Sequence, residues 1–318
     1  MVRLTPKGIM KVIRGIENVG QRYSRPVIAI GIFDGLHSGH QKLIRRAVVK
    51  ARAIGGTPIV MTFHPHPVHV LRPENHLPLL VSLPFRLKLI EDLGAAVTIV
   101  ARFTKKFSRL TPQQFIKNYL VKKLHPEFII VGDDFRFGQG RSGTIGYFKE
   151  EGKKYGFRVL TLQTRRGSEK KVSSTLVRDL IAGGNLKKAE RLLGRRVALM
   201  GRVERGDARG KTLGYPTANL TPSDEVLPPL GVYVARVFCK KCFYHGMANV
   251  GLRPSFDKKG NVIVEVNIFD FDKEIYGQDI IVEFLQKIRN ELYFPSREAL
   301  MKQLQHDEHI ARTWFNHA

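Results

Sequence analysis

At 318 residues, 43% apolar and 25% charged, the chain suits two globular domains of about 100–200 residues each rather than one core or a disordered segment. No run approaches the ~18 apolar residues of a membrane helix, and the amino terminus is charged without a signal-type apolar core, so no membrane association is expected and a cytoplasmic location is. The net charge of +25 is uneven, with 37 Lys+Arg against 13 Asp+Glu in residues 1–196 and 16 against 15 afterwards, which predicts a first half that attracts anionic ligands.

In chain order, Pro26-Val-Ile-Ala-Ile-Gly31 reads as a short buried parallel strand. The segment 41–52 reads as a helix with Leu43, Ile44, Ala47, Val48 and Ala51 on one face. Between them lies Gly31-Ile-Phe-Asp-Gly-Leu-His-Ser-Gly-His40, at a strand-to-helix junction. The first N–H groups of a helix lack intrahelical partners and its dipole favours negative charge, so the junction suits phosphate oxygens. Gly31, Gly35 and Gly39 allow close backbone approach, and His37 and His40 can donate to phosphates as charge grows on departing pyrophosphate. Taken alone, a His-x-Gly-His pair is equally compatible with ordinary histidines, and it lacks the glutamate and the spacing of a zinc-protease motif.

Strand-like segments 58–63, 96–101, 128–132 and 157–162 alternate with helical candidates near 85–93, 112–124 and 145–155, which predicts a parallel α/β sheet. Ligands of such sheets gather beyond the carboxyl ends of the strands, where His64-Pro-His-Pro67 and Asp133-Asp-Phe-Arg-Phe-Gly138 fall. Gly138-Gln-Gly-Arg-Ser-Gly143 formally matches a dinucleotide fingerprint but lies too far from its strand; it reads as a glycine-rich lid over a ligand or as a surface loop. Ser173, Ser174 and Thr175 sit at a helix start with Arg178 one turn on, which fits either capping or triphosphate binding. The basic pairs Lys105-Lys106, Lys122-Lys123, Lys153-Lys154, Arg165-Arg166 and Lys170-Lys171 are scattered as on a solvated surface, so nucleic-acid binding is not expected.

A boundary is predicted near Gly194-Arg-Arg196, giving domains 1–195 and 196–318. After it, Gly206-x-x-x-Gly-Lys-Thr212 is one residue short of a P-loop and runs into Gly214 and Pro216 rather than a helix. Segments 231–238, 243–250, 261–269 and 278–285 read as strands of a small barrel, closed by a helix over about 296–313. Cys239 and Cys242 flank Lys240-Lys241, as reduced thiols beside a hairpin turn or half of a metal site. In strand 261–269, Val262, Val264, Val266 and Ile268 share one face while Ile263, Glu265, Asn267 and Phe269 share the other. Glu265 on that mixed face is compatible with solvation. Phosphoryl transfer to an alcohol, however, needs a base and a cation; Glu265 can supply the base, with Thr217 and Asn219 as neutral oxygen ligands for magnesium.

Four motifs of the first half, Gly31-x-Phe-Asp-Gly-x-His-x-Gly-His40, Thr62-Phe-x-Pro-His-Pro67, Val131-Gly-x-Asp-Phe-Arg-Phe-Gly138 and Ser173-Ser-Thr-x-x-Arg178, occur together in that order. The second half carries Gly214-Tyr-Pro-Thr-Ala-Asn219, Gly231-Val-Tyr233, Ala248-Asn-Val-Gly-x-Arg-Pro-Ser-Phe256, Glu265-Val-Asn-x-x-Asp-Phe271 and Arg289-x-Glu-x-x-Phe294. Over nearly all of residues 12–316 the chain resembles the bacterial bifunctional riboflavin kinase/FAD synthetases. The resemblance implies an α/β nucleotidyltransferase domain with a Rossmann-like parallel sheet, followed by an all-β small barrel with a C-terminal helix. It further implies ATP, riboflavin, FMN and FAD as substrates or products and Mg²⁺ as the cation. In the adenylyltransferase half it implies His37 and His40 as transition-state stabilisers, with Gly31, Phe33, Gly35, Ser173, Ser174, Thr175 and Arg178 at ATP. Asp134, Phe135 and Arg136 would lie near the flavin. In the kinase half it implies Glu265 as the base, Gly210, Lys211, Thr217 and Asn219 at the nucleotide, Thr217 and Asn219 at the metal, and Arg289 and Glu291 at the flavin. The chain departs from the pattern at His64, where an acidic residue is usual, and at Asn267, where histidine is frequent. Two readings compete: a protein with one inactive half, to which His64 and Asn267 point, and a flavin- or nucleic-acid-binding regulator without turnover, against which retention of His37, His40, Arg178, Thr217, Asn219 and Glu265 argues. An oligomer is compatible with the sequence.

Overall fold

In the computed structural model, residues 10–163, 172–205, 214–252 and 262–317 are described, and they divide into two compact units. The first comprises Met1–Pro78 and Leu83–Ser174, the second Leu79–Ser82 and Thr175–Ala318.

Six parallel strands build the first unit: β1 (Lys11–Arg14), β2 (Val27–Ile30), β3 (Pro58–His64), β4 (Val97–Arg102), β5 (Phe128–Gly132) and β6 (Arg158–Leu162), in the order β1-β4-β3-β2-β5-β6. All four residues of β2 are buried, as its central place and its apolar run require. Helix α1 (Ser38–Ala53) packs on β2, β3 and β5 and buries Leu43, Ile44, Ala47, Val48 and Ala51, the five positions predicted. It exceeds its expected extent by three residues at the start, where Ser38-Gly39-His40 form the first turn behind an N-cap at His37, and by one, Ala53, at the end.

Short α2 (Pro67–Leu71) and then α3 (Leu83–Asp92) precede β4; α4 (Lys105–Ser108) follows it. The predicted helix at 112–124 exists as α5 (Pro112–Phe115), a π-helical stretch (Ile116–Val121) and α6 (Lys122–Leu124). Thr111 and Gln114 form a reciprocal capping box at its start, an arrangement that stabilises helix ends by about 1 kcal/mol. Phe115, Ile116, Leu120 and Leu124 join Phe148 of α7 (Ile145–Tyr155) on Ile28, Ile30, Ile59, Met61, Ile99 and Val131 of the sheet. The chain runs from β2 outward through β3 to β4 and then returns to place β5 on the other side of β2. The loops after β2 and β5 therefore flank a topological switch point, the place where such sheets bind ligands.

Helix α8 (Ser174–Ala182) begins at the predicted hydroxyl cluster, and α9 (Leu186–Leu193) follows between an Asn185 cap and Gly194 in a left-handed conformation. Val177, Ile181, Leu186, Ala189 and Leu193 join the core of the second unit, which is why the compact units divide at Ser174/Thr175, about twenty residues before the end of α9. That core lies inside an antiparallel sheet of β7 (Val197–Arg202), β8 (Thr217–Leu220), β9 (Gly231–Cys239), β10 (Cys242–Leu252), β11 (Val262–Ile268) and β12 (Asp279–Arg289), ordered β7-β12-β9-β10-β11-β8. The sheet curls so that Glu204, just beyond β7, bridges to Asn219 of β8, making the small barrel that the strand pattern predicts. Val264, Val266 and Ile268 face the interior as alternation requires. The outer face presents Val232, Val234, Met247, Phe269 and Leu285 to α10 (Arg297–His317), through Leu304, Ala311, Trp314 and Phe315. Between β9 and β10, Lys240 and Lys241 both adopt left-handed backbone with Cys239 opposite Cys242, so the two free thiols do flank a two-residue hairpin turn.

Candidate active sites

In the first unit the loop after β2 turns sharply. Phe33, Gly35 and Leu36 have positive φ, and a Cβ at Gly31 would meet the Phe33 ring at 2.8 Å, so glycine is required there. His37 caps α1: its Nδ1 accepts the His40 backbone N–H at 3.4 Å, which in the neutral ring leaves the proton on Nε2 as a donor. His40, three residues on, lies on the same helical side, so the two imidazoles stack with centroids 3.7 Å apart and 20° between planes. Phe33 meets the His40 ring edge-on at 5.3 Å. Burial first, then the charges of His37 and Arg86, hold the His40 pKa well below 6.5, so this ring is neutral at physiological pH. Asp34 is buried beside them, and its carbonyl accepts the Ser174 hydroxyl at 2.9 Å.

Arg86 of α3 received no role in the sequence reading. It is 1% exposed, and its Nη1 donates to the carbonyls of Ile32 and Phe63, each at 3.2 Å. The signal that could have found it is a charge on the apolar stripe of Leu83, Phe85, Leu89 and Ile90. Also unassigned from sequence are the half-buried rings of Phe63, Phe103 and Phe107, which touch one another around the carboxyl ends of β3 and β4. His64 ends β3, and burial, with the charges of Arg86, Arg14 and His69, lowers its pKa.

After β5, Asp134 and Arg136 are exposed, while Phe135 is half-buried against Phe137 and Phe148. The glycine-rich segment 138–143 is a loop pinched shut by two backbone hydrogen bonds between Phe137 and Gly143, with Thr144 capping α7 behind it. It has no strand-turn-helix continuation of a dinucleotide site. Thr175 and Arg178 belong to the second unit; Arg178 is buried and lies one turn after Ser174.

In the second unit the ladder gathers the predicted kinase residues. Glu265 of β11 stands opposite Asn219 of β8 on one side and Asn249 of β10 on the other; Asn267 stands opposite Thr217. Directly opposed residues project to the same face, so Thr217, Asn219, Glu265, Asn267 and Asn249 form one polar patch. Asn267 is buried and donates to the Pro216 carbonyl at 2.8 Å. Among the described residues the side chains of Thr217, Asn219 and Glu265 have no hydrogen-bond partner, so their oxygens are available to a ligand. Glu291 reaches the same row: its Oε1 would lie 2.8 Å from a Cβ on Gly251, with Asn249 Nδ2 at 3.1 Å from that point. Arg289 is engaged structurally. Its Nε and Nη2 lie 2.9 Å from Asp307 Oδ2, and the guanidinium sits over the Phe294 ring.

Gly210 and Lys211 lie outside the described residues. Among the described residues no group of three or more His, Cys, Asp or Glu side chains is arranged to hold a metal, and Cys239 with Cys242 makes no such group. A cation beside Glu265 would meet neutral oxygens of Thr217 and Asn219, a donor set that suits magnesium completed by phosphate and water. No helix among the described residues is long and apolar enough to cross a membrane.

Comparison with known proteins matches two families in succession along the chain. A family model described as FAD synthetase matches residues 20–176, and one described as riboflavin kinase matches 193–315. A protein of Buchnera aphidicola (subsp. Acyrthosiphon pisum) named bifunctional riboflavin kinase/FMN adenylyltransferase is 37% identical, covering 96% of this chain and 99% of its own. Its namesake in Escherichia coli K12 is 38% identical over 96% and 98%. A crystal structure from Streptococcus pneumoniae described as a macrolide-efflux protein is 34% identical, with a TM-score of 0.81, over 96% of this chain and 99% of that one.

Proposed function

The chain belongs to the family of bifunctional riboflavin kinase/FMN adenylyltransferases, and on that premise we propose that it makes FMN and then FAD in two successive reactions at two separate centres. We assign riboflavin phosphorylation to residues 196–318 and FMN adenylylation to residues 1–195, with a cytoplasmic location. The observation that carries the reading is that one chain holds both constellations: stacked histidines at a helix N-terminus on a parallel sheet, and a glutamate flanked by neutral oxygen donors on a barrel wall.

For the kinase step, Glu265 accepts the proton of the terminal ribityl hydroxyl as its oxygen attacks the γ-phosphorus of ATP, and the bond to ADP breaks. Thr217 and Asn219 are the residues that would hold Mg²⁺, which when bound neutralises phosphate charge. Asn267, tied to Pro216, steadies the turn that leads into β8. Glu291, with Arg289 held by Asp307, contributes the flavin side, and Gly210 and Lys211 the nucleotide side.

For the adenylyl step, a phosphate oxygen of FMN attacks the α-phosphorus of ATP and the bond to pyrophosphate breaks. The nucleophile is already anionic, so stabilising the departing charge matters more than a base. His37 donates through Nε2–H and His40 donates as a neutral imidazole, beside the free N–H groups of α1. Gly31, Phe33 and Gly35 line the nucleotide; Ser173, Ser174, Thr175 and Arg178 meet phosphate; Asp134, Phe135 and Arg136 lie towards the flavin.

The test is to separate flavins after incubating purified protein with ATP and Mg²⁺, giving riboflavin to one sample and FMN to another. FAD from both is the expected result. FMN alone from the riboflavin sample would refute the adenylyl step, and no product from either would refute the proposal.

A further inference from the structure

Helix α3 turns Leu83, Phe85, Leu89 and Ile90 inward, and Arg86 lies on the same buried stripe. An apolar side chain there would pack without electrostatic cost, whereas a buried guanidinium is tolerated only when its donors and charge are satisfied. Arg86 Nη1 reaches Ile32 O and Phe63 O, both at 3.2 Å, with Thr62 Oγ1 at 3.5 Å. The Thr62 hydroxyl donates to the same Ile32 carbonyl at 2.8 Å. Ile32 is the residue at which the chain leaves β2 for the left-handed turn of Phe33, and Phe63 lies at the end of β3. The side chain therefore joins the segment after β2 to the carboxyl end of β3, beyond Ile30 and Met61, the last register pair between those two strands.

We propose that Arg86 is a positioning residue for adenylyl transfer: its guanidinium ties the carboxyl end of β3 to the segment after β2 and so fixes the turn that carries His37 and His40. This rests on reading the first unit as an FMN adenylyltransferase. Two further observations point the same way. Arg86 Nε and His40 Nδ1 are buried without partners among the described residues, as expected where protein packing alone does not complete the polar contacts. The charge of Arg86 also acts directly on His40, while buried Asp34 favours the charged form of Arg86 against the opposing effect of burial.

The test is the full-length chain carrying Arg86→Met, which keeps an unbranched apolar stem and removes the guanidinium, or Arg86→Lys, which keeps a cation and one line of donors. Both activities are measured on each preparation. Arg86→Met should lower kcat for FAD formation from FMN about 100-fold, with KM for ATP changed by less than about threefold, because misplaced reacting groups slow the bound complex. Arg86→Lys should recover kcat to between about a third and a tenth of the parent value. Riboflavin phosphorylation should be unchanged in both. Adenylylation within about twofold of the parent in Arg86→Met overturns the proposal, and so does an Arg86→Lys variant as slow as Arg86→Met. If Arg86→Met fails to fold, Arg86→Lys decides: a lowered kcat at parental KM and melting temperature supports the role, and a parental kcat overturns it. A parent protein that forms FMN but no FAD would instead refute the reading of the first unit.

Discussion

Replacing Asp307 with asparagine tests how α10 is held to the barrel. The carboxylate is fully buried, takes a two-pronged contact from Arg289 at 2.9 Å and accepts Gln303 Nε2–H at 2.8 Å, while the Arg289 side chain is only 16% exposed. The amide keeps the shape and one acceptor but leaves the guanidinium buried without its counter-charge. Removing one member of a buried pair costs about 3–5 kcal/mol; since Arg289 keeps a little solvent, we expect about 3 kcal/mol, against the 5–15 kcal/mol total of an ordinary domain. Trp314, the single tryptophan of the chain, lies on α10 and packs in its docking cluster, so its fluorescence follows urea unfolding of this unit. The control is Asp270→Asn, which removes the charge from an Arg312 pair whose acid side chain is 78% exposed and solvent-screened, and it should shift the urea midpoint far less. Equal shifts in urea midpoint for the two variants would refute the reasoning.

Glu265→Gln should slow riboflavin phosphorylation by at least about 100-fold and leave FMN adenylylation intact, while His37→Ala with His40→Ala should do the reverse; flavin chromatography reads both, and loss of both activities in a folded variant would contradict two separate centres. Because the His40 pKa is depressed in the fold, the unfolded chain binds more protons below 6.5, so stability contributed by the neutral ring is complete above that pH and lost as pH falls beneath it. Melting followed from pH 8 to 5 should show that loss, reduced in His40→Asn. Lys240→Asn with Lys241→Gly should raise the melting temperature of the second unit through about 1 kcal/mol, since both lysines carry left-handed backbone that asparagine and glycine accept more readily.

What the sequence discloses depends on how local each determinant is. The apolar face of α1 is legible to the residue because helical periodicity alone dictates it. Strand β12 runs four residues beyond the alternating pattern because register shifts between Phe284 and Gln286 and between Lys287 and Arg289 interrupt the period of two. β1 and β8 escape because four residues give too little pattern, and β7 because its half-buried Ala198 and Met200 are as apolar as its buried Val197 and Leu199, which hides the alternation. α9 does carry local signals, an Asn185 cap, Leu186, Ala189 and Leu193 on one face, and Gly194 at its end, but eight residues make a faint periodic signature. The histidine pair and Glu265 with Thr217 and Asn219, the residues proposed for the two centres, stand out in the sequence through their motifs. The parts played by Arg86, Asn249 and Asp307 arise from partners brought close only by the sheets and by α10, information that no local window contains.

Asn267 has a consequence for proton exchange in the kinase centre. Its amide joins β11 to the turn before β8 by donating to the Pro216 carbonyl. An imidazole there would titrate near pH ~6.5 and change its hydrogen bonding as it did so. The amide has no proton to exchange over that range. The wall that supports Thr217 therefore keeps the same form in mildly acidic and alkaline solution, and the acid limb of riboflavin phosphorylation in this chain has one protein ionisation fewer to reflect.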